Sequence, residues 1–122
     1  MESPYKGKTG LKRIWSALLY SLTGLRAAIH HEDAFRQEVM LAMILIPTVF
    51  LTSASAIGRA LMIASVLLVL IVELLNSAVE AAVDHTSLDH HPLAKRAKDI
   101  GSAAVLLSLL NVVSVWALIL LN

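Results

Sequence analysis

The chain has 122 residues, of which 57% are hydrophobic and 16% charged. That is more apolar and less charged than a soluble domain, and too short to bury so much apolar surface in its own core, so the bilayer is the expected solvent. The net charge of +1 points away from a nucleic-acid partner, and the lack of cysteine excludes disulfides and thiolate metal sites.

The opening MESPYKGKTG has no apolar stretch and does not read as a cleavable signal. From about residue 9 to 28, Leu11, Ile14, Trp15, Leu18, Leu19, Leu22 and Leu25 recur at three-four spacing. Lys12, Arg13, Ser16, Thr23 and Arg26 take the opposite side, the pattern of a helix lying in the membrane interface; packing on another protein is the alternative. Three apolar runs follow, Val39 to Ala54, Ile57 to Val83 and Ile100 to Leu121, predicted as the spans of transmembrane helices over about 36–54, 57–84 and 94–121. A span needs about 20 residues, so the first is short, and Pro47 within it predicts a kink. No repeat or low-complexity linker divides the chain. The expectation is one all-α membrane domain: a surface helix plus three transmembrane helices.

Lys6, Lys8, Lys12, Arg13, Arg26 and Arg36 precede the first span, and Lys95, Arg96 and Lys98 follow the second; only Arg59 lies on the other side. The positive-inside rule then puts the N-terminus and the second loop in the cytoplasm and Asn122 outside.

The second span carries the unusual chemistry. In VELLNSAVEAAVDH, Glu73, Asn76, Ser77, Glu80 and Asp84 fall at spacings that put them on one helix stripe at about 100° per residue. With Glu80 level with the interface, Glu73 sits about 10 Å deeper at 1.5 Å per residue. An ionised carboxylate there costs at least a few kcal/mol, so either it holds a proton or a cation faces it. Such a group is a candidate general base. Helix–helix glue by Glu73 and Asn76 is the alternative, but glue does not require three acids in register.

Two further polar clusters share that membrane face. Lys95, Lys98, Asp99 and Ser102 open the last helix, with Lys98 and Asp99 offering an ammonium beside a carboxylate, suited to a phosphate or to the Glu80 region. HHEDAFRQE supplies Glu32, Arg36, Gln37 and Glu38 before the first span. Several carboxylates and cations at one face are what metal–phosphate chemistry needs. Other signals carry little. GKTG lacks the glycine and the strand of a phosphate-binding loop, with Glu2 at the required position. His85, His90 and His91 lack the spacing of a closed metal site. Trp116 reads as an interfacial anchor, and the small residues of GSAAV suit close helix packing.

GLRAAIHHEDAFRQE, VELLNSAVEAAVD and AKDIGSAAVL resemble, in order and spacing, the signature segments of the small integral-membrane bacterial diacylglycerol kinases, from about Leu11 to the end. The resemblance implies a homotrimer with shared sites that transfers the γ-phosphoryl group of ATP, with Mg2+, to the primary hydroxyl of diacylglycerol, giving phosphatidate. By matched position it implies Glu73 as proton acceptor, Glu32 and Glu80 as magnesium ligands, and Lys98 on phosphate with Asp99 beside it. Asn76 would order the site. Arg13, Tyr20, Asp89, His90 and His91 match nucleotide positions; Arg13, Arg26, Ala34, Phe35, Arg36, Gln37, Glu38, Glu73 and Ser102 match lipid-substrate positions. Ser16 and Thr23 stand where a better-known relative has lysines, and Pro92 where it has glutamate, differences that bear on nucleotide affinity. A sister branch phosphorylates undecaprenol; AFRQE and KDIGSAAV look closer to the diacylglycerol branch. A small proton-coupled transporter could also use buried acids, but it needs a polar path to the far side.

Overall fold

The computed structural model describes residues 9–86 and 91–122. These form four helices and no strand: α1 (Gly10–His31), α2 (Asp33–Val49), α3 (Ala56–Thr86) and α4 (Pro92–Leu120). Of these, α3 and α4 are long and apolar enough to cross a membrane. α2, at 17 residues, is at the short end of what a span needs.

α1 and α2 are separated by a single residue rather than by the seven-residue connection that the apolar pattern predicts. Glu32 is extended, with φ −113° and ψ 106°, and is both the C-cap of α1 and the N-cap of α2. Its N–H still donates to the Ala28 carbonyl at 2.9 Å, and its own carbonyl accepts from Arg36 N–H at 3.1 Å. Arg36 then folds back to donate to the carbonyls of Ile29 (2.7 Å) and His30 (2.9 Å), while its guanidinium pairs with Asp33. A cation placed on the orphan carbonyls of a helix C-terminus complements both their lone pairs and the macrodipole. Phe35, 2% exposed, anchors the corner from inside.

Pro47 lies inside α2, two residues before its end. The helix stops at Val49, and the amides of Phe50, Leu51 and Thr52 bond three residues back to Pro47, Thr48 and Val49. Proline has no N–H to reach the Met43 carbonyl four residues back, and the turn bonds just beyond it take the chain out of the helix. Arg59 closes this bend by donating to the Thr52 carbonyl at 2.8 Å, and the Ser55 hydroxyl accepts from Gly58 N–H at 3.0 Å, capping α3.

α3 is the central element, packed chiefly on α4 and then on α2. Val49, Met62, Val66, Val69 and Ala42 make the apolar seam. Trp116 of α4 donates its indole N–H to the Met62 carbonyl at 3.2 Å, so this residue expected at the interface serves as an interhelix tie. The outward sides of α3 and α4 remain apolar, with Leu61, Leu107, Leu110 and Val113 exposed. Lipid, or another copy of the chain, is the environment that suits such a surface.

Candidate functional site

The stripe on α3 faces the rest of the protein and not the open side. Glu73 is 7% exposed, whereas Leu75 and Val79 beside it look outward. Along the same helix Glu80 stands two turns nearer the Thr86 end, at intermediate burial. The carboxylates of Glu32 and Glu80 lie within Coulombic reach of Glu73, and Glu73 within reach of Glu38. Acids from the α1–α2 corner, from α2 and from α3 thus lie close enough to feel one another's charge. Glu38 Oε2 is buried with no hydrogen-bond partner among the described residues, and the side chain borders a small cavity of about 70 Å³ with Ala42, Val66, Val69 and Leu109.

Within α3, the Asn76 Nδ2 donates to Glu80 Oε1 at 3.2 Å, a link four residues along one helix face. The other oxygen of Glu80 is left for a further partner. No three acidic or histidine side chains among the described residues close on one point as a metal site. Two carboxylates with phosphate oxygens fit magnesium chemistry all the same, because Mg2+ takes hard oxygen ligands and is commonly held by one or two carboxylates plus substrate phosphates. Glu32 and Glu80 supply that donor type.

Lys98 and Asp99, adjacent in sequence, pair with different partners. Neighbours on a helix point about 100° apart. Lys98 reaches across to Asp84 Oδ1 of α3 at 2.5 Å, and Asp99 pairs with Lys95 one turn earlier at 2.7 Å. Asp84, the third acid of the stripe, is thereby the residue that meets the lysine, and nothing in the spacing of α4 alone points to it.

A cleft of about 740 Å³ runs between α1 and α3, bordered by Gly24, Ala28 and Glu32 on one side and by Leu74, Ser77 and Ala81 on the other. Glu32 thus stands at the edge of a largely apolar groove. Arg13, Tyr20 and Arg26 are exposed along α1, Ala34 and Gln37 on the first turns of α2, and Ser102 on α4. Phe35 points into the core, so of the AFRQE segment it is the packing member. His91 acts locally, its Nδ1 accepting from Leu93 N–H at 3.1 Å to cap α4 ahead of Pro92. Asp89 and His90 lie outside the described residues.

A family model described as prokaryotic diacylglycerol kinase matches residues 19–120. A diacylglycerol kinase of Pseudomonas aeruginosa is 59% identical over 120 residues, 98% of each chain. Diacylglycerol kinases of Escherichia coli K12 and Haemophilus influenzae are 47% and 50% identical over 112 residues, 92% of this chain and 92% and 95% of theirs.

Proposed function

The chain belongs to the prokaryotic diacylglycerol kinase family and is a lipid kinase, and from that premise we propose that it transfers the γ-phosphoryl group of ATP to the primary hydroxyl of diacylglycerol at the cytoplasmic face of the inner membrane. The observation that carries this reading is the burial of Glu73 beneath Glu80 on one face of α3. A lipid alcohol cannot leave the acyl region, and a nucleotide cannot enter it. A base set about 10 Å deeper than the phosphate-side carboxylate lets both substrates meet at one depth.

In this reading Glu73 accepts the hydroxyl proton as the alcohol oxygen attacks the γ-phosphorus. The new P–O bond forms as the bond to the bridging oxygen of ADP breaks. Glu32 and Glu80 would hold magnesium, which when bound would neutralise phosphate charge, and the Asn76 amide keeps Glu80 oriented. Lys98 contributes positive charge to the phosphates, with Asp84 fixing its position and Asp99 nearby. Arg13, Tyr20, Asp89, His90 and His91 border the nucleotide; Arg26, Ala34, Arg36, Gln37, Glu38 and Ser102 border the lipid. Phosphoryl transfer asks mainly for placement and charge neutralisation, which matches a site built of a few carboxylates and one lysine.

Three transmembrane helices, α2 to α4, with α1 on the surface, suit the charge asymmetry, with the N-terminus cytoplasmic and the C-terminus periplasmic. The exposed apolar faces of α3 and α4 and the open α1–α3 cleft support a homotrimer whose sites are shared between subunits. The test is to incubate the purified protein with MgATP and a panel of lipid alcohols. Phosphatidate from diacylglycerol is the expected product; preferential phosphorylation of undecaprenol would move the protein to the sister activity, and no phosphorylated lipid at all would overturn the reading.

A further inference from the structure

Asn76 and Gly101 meet where α3 crosses α4. A Cβ built on Gly101 would collide with Asn76 Oδ1 and approach its Cγ to 3.2 Å, and the three nearest atoms it would meet all belong to that one side chain. The carboxamide therefore points its Oδ1 end at the bare Cα of Gly101. Its Oδ1 is buried there with no hydrogen-bond partner among the described residues, while its Nδ2 is turned toward Glu80 at 3.2 Å. The two ends of the amide are thus used unequally. One end is fixed by steric contact with α4, and the other delivers a directed N–H to the Glu80 carboxylate.

The seat has walls on both helices. Val72 and Val79 border it one turn to either side of Asn76, and Ala97 and Ala104 one turn to either side of Gly101. Ala97 and Ala104 keep α4 near, but a methyl at their positions is already accommodated; only at 101 does the methyl occupy space that the amide takes. A side chain at 101 would accordingly leave the backbone spacing alone and displace the flexible end of Asn76.

We propose that Gly101 is a positioning residue: its missing side chain is the seat that aims the Asn76 amide at Glu80 and so fixes the direction of that carboxylate's remaining oxygen. The consequence for catalysis rests on the reading of Glu80 as a magnesium ligand. Partners that orient a metal-binding carboxylate typically change metal affinity or activity by about 10–100-fold when removed.

The test uses the full chain in detergent micelles, with asparagine side-chain amides labelled with 15N; Asn76, Asn111 and Asn122 are the asparagines, and Asn76→Ala assigns the signal. In the wild type, Glu80→Gln shifts the Asn76 NH2 resonance. In Gly101→Ala the resonance moves from its wild-type position and no longer responds to Glu80→Gln. Kinetically, Gly101→Ala raises the magnesium needed for half-maximal rate about tenfold, and adding Asn76→Ala makes the defect no worse. If Gly101→Ala alone does not fold, the double variant, which lacks the amide that the new methyl meets, recovers a monodisperse protein. An Asn76 resonance unmoved by Gly101→Ala, additive losses in the double variant, or failure of both variants to fold would overturn the proposal. A Glu80→Gln protein with a wild-type magnesium curve would instead overturn the metal reading, and the amide resonance would still decide the role of Gly101.

Discussion

The Lys98 ammonium of α4 lies 2.5 Å from Asp84 Oδ1 of α3, tying together the two helices at the end where the acidic stripe emerges. The lysine side chain is 26% exposed and the aspartate 54%. A pair this open adds little to stability, about 0.2–1 kcal/mol. Its value lies in where it holds the ammonium.

Asp84→Asn is therefore expected to leave thermal unfolding within about 1 kcal/mol of wild type while raising the KM for ATP several-fold, with kcat for diacylglycerol less affected. Nucleotide titrations at saturating lipid check this. An unchanged KM would mean that Lys98 reaches the phosphates without guidance from Asp84.

Met62 and Leu61 are neighbours with opposite fates. Met62 is 0% exposed in the α3 seam, and Leu61 is 53% exposed on the outward face. In a membrane the surrounding lipid is as apolar as the core, so truncation removes packing contacts more than hydrophobic transfer energy. Met62→Ala should cost about 1–3 kcal/mol, toward the low end of soluble-core truncations, and Leu61→Ala less than about 0.5 kcal/mol. Reversible unfolding in mixed micelles measures both; equal effects would contradict the packing described.

Much of this fold is legible in the sequence because helical periodicity and hydrophobic length are local properties. The three-four spacing from Leu11 to Leu25 and the acid stripe from Glu73 to Asp84 each map onto one helix. The break at Glu32 is not visible there, since no glycine or proline marks it and the chain turns through the extended backbone of a single residue. Pro47 is visible, but that the helix ends two residues beyond it depends on the path the chain takes there. The pairing of Lys98 with Asp84 depends on how α4 is rotated against α3, which no spacing within either helix reveals. The Gly101 seat is hidden for the same reason: GSAAV reads as generic close packing, and only the approach of α3 shows which small residue meets Asn76.

Glu32→Gln and Glu80→Gln should each shift the magnesium dependence of the rate to higher concentration, by about 10–100-fold, with the lipid KM little changed. The two carboxylates stand on different elements, the α1–α2 corner and α3, so matching shifts would place them on one ion. Wild-type magnesium curves for both would remove them from the metal site.

The central claim is that the carboxylate buried deepest in the stripe takes the proton from the lipid hydroxyl. The most direct measurement is turnover of Glu73→Gln at saturating MgATP and diacylglycerol, with nucleotide binding and assembly measured on the same sample. The account predicts intact assembly and ATP binding with a rate reduced by at least about 10²-fold; wild-type turnover by the same folded protein would contradict it.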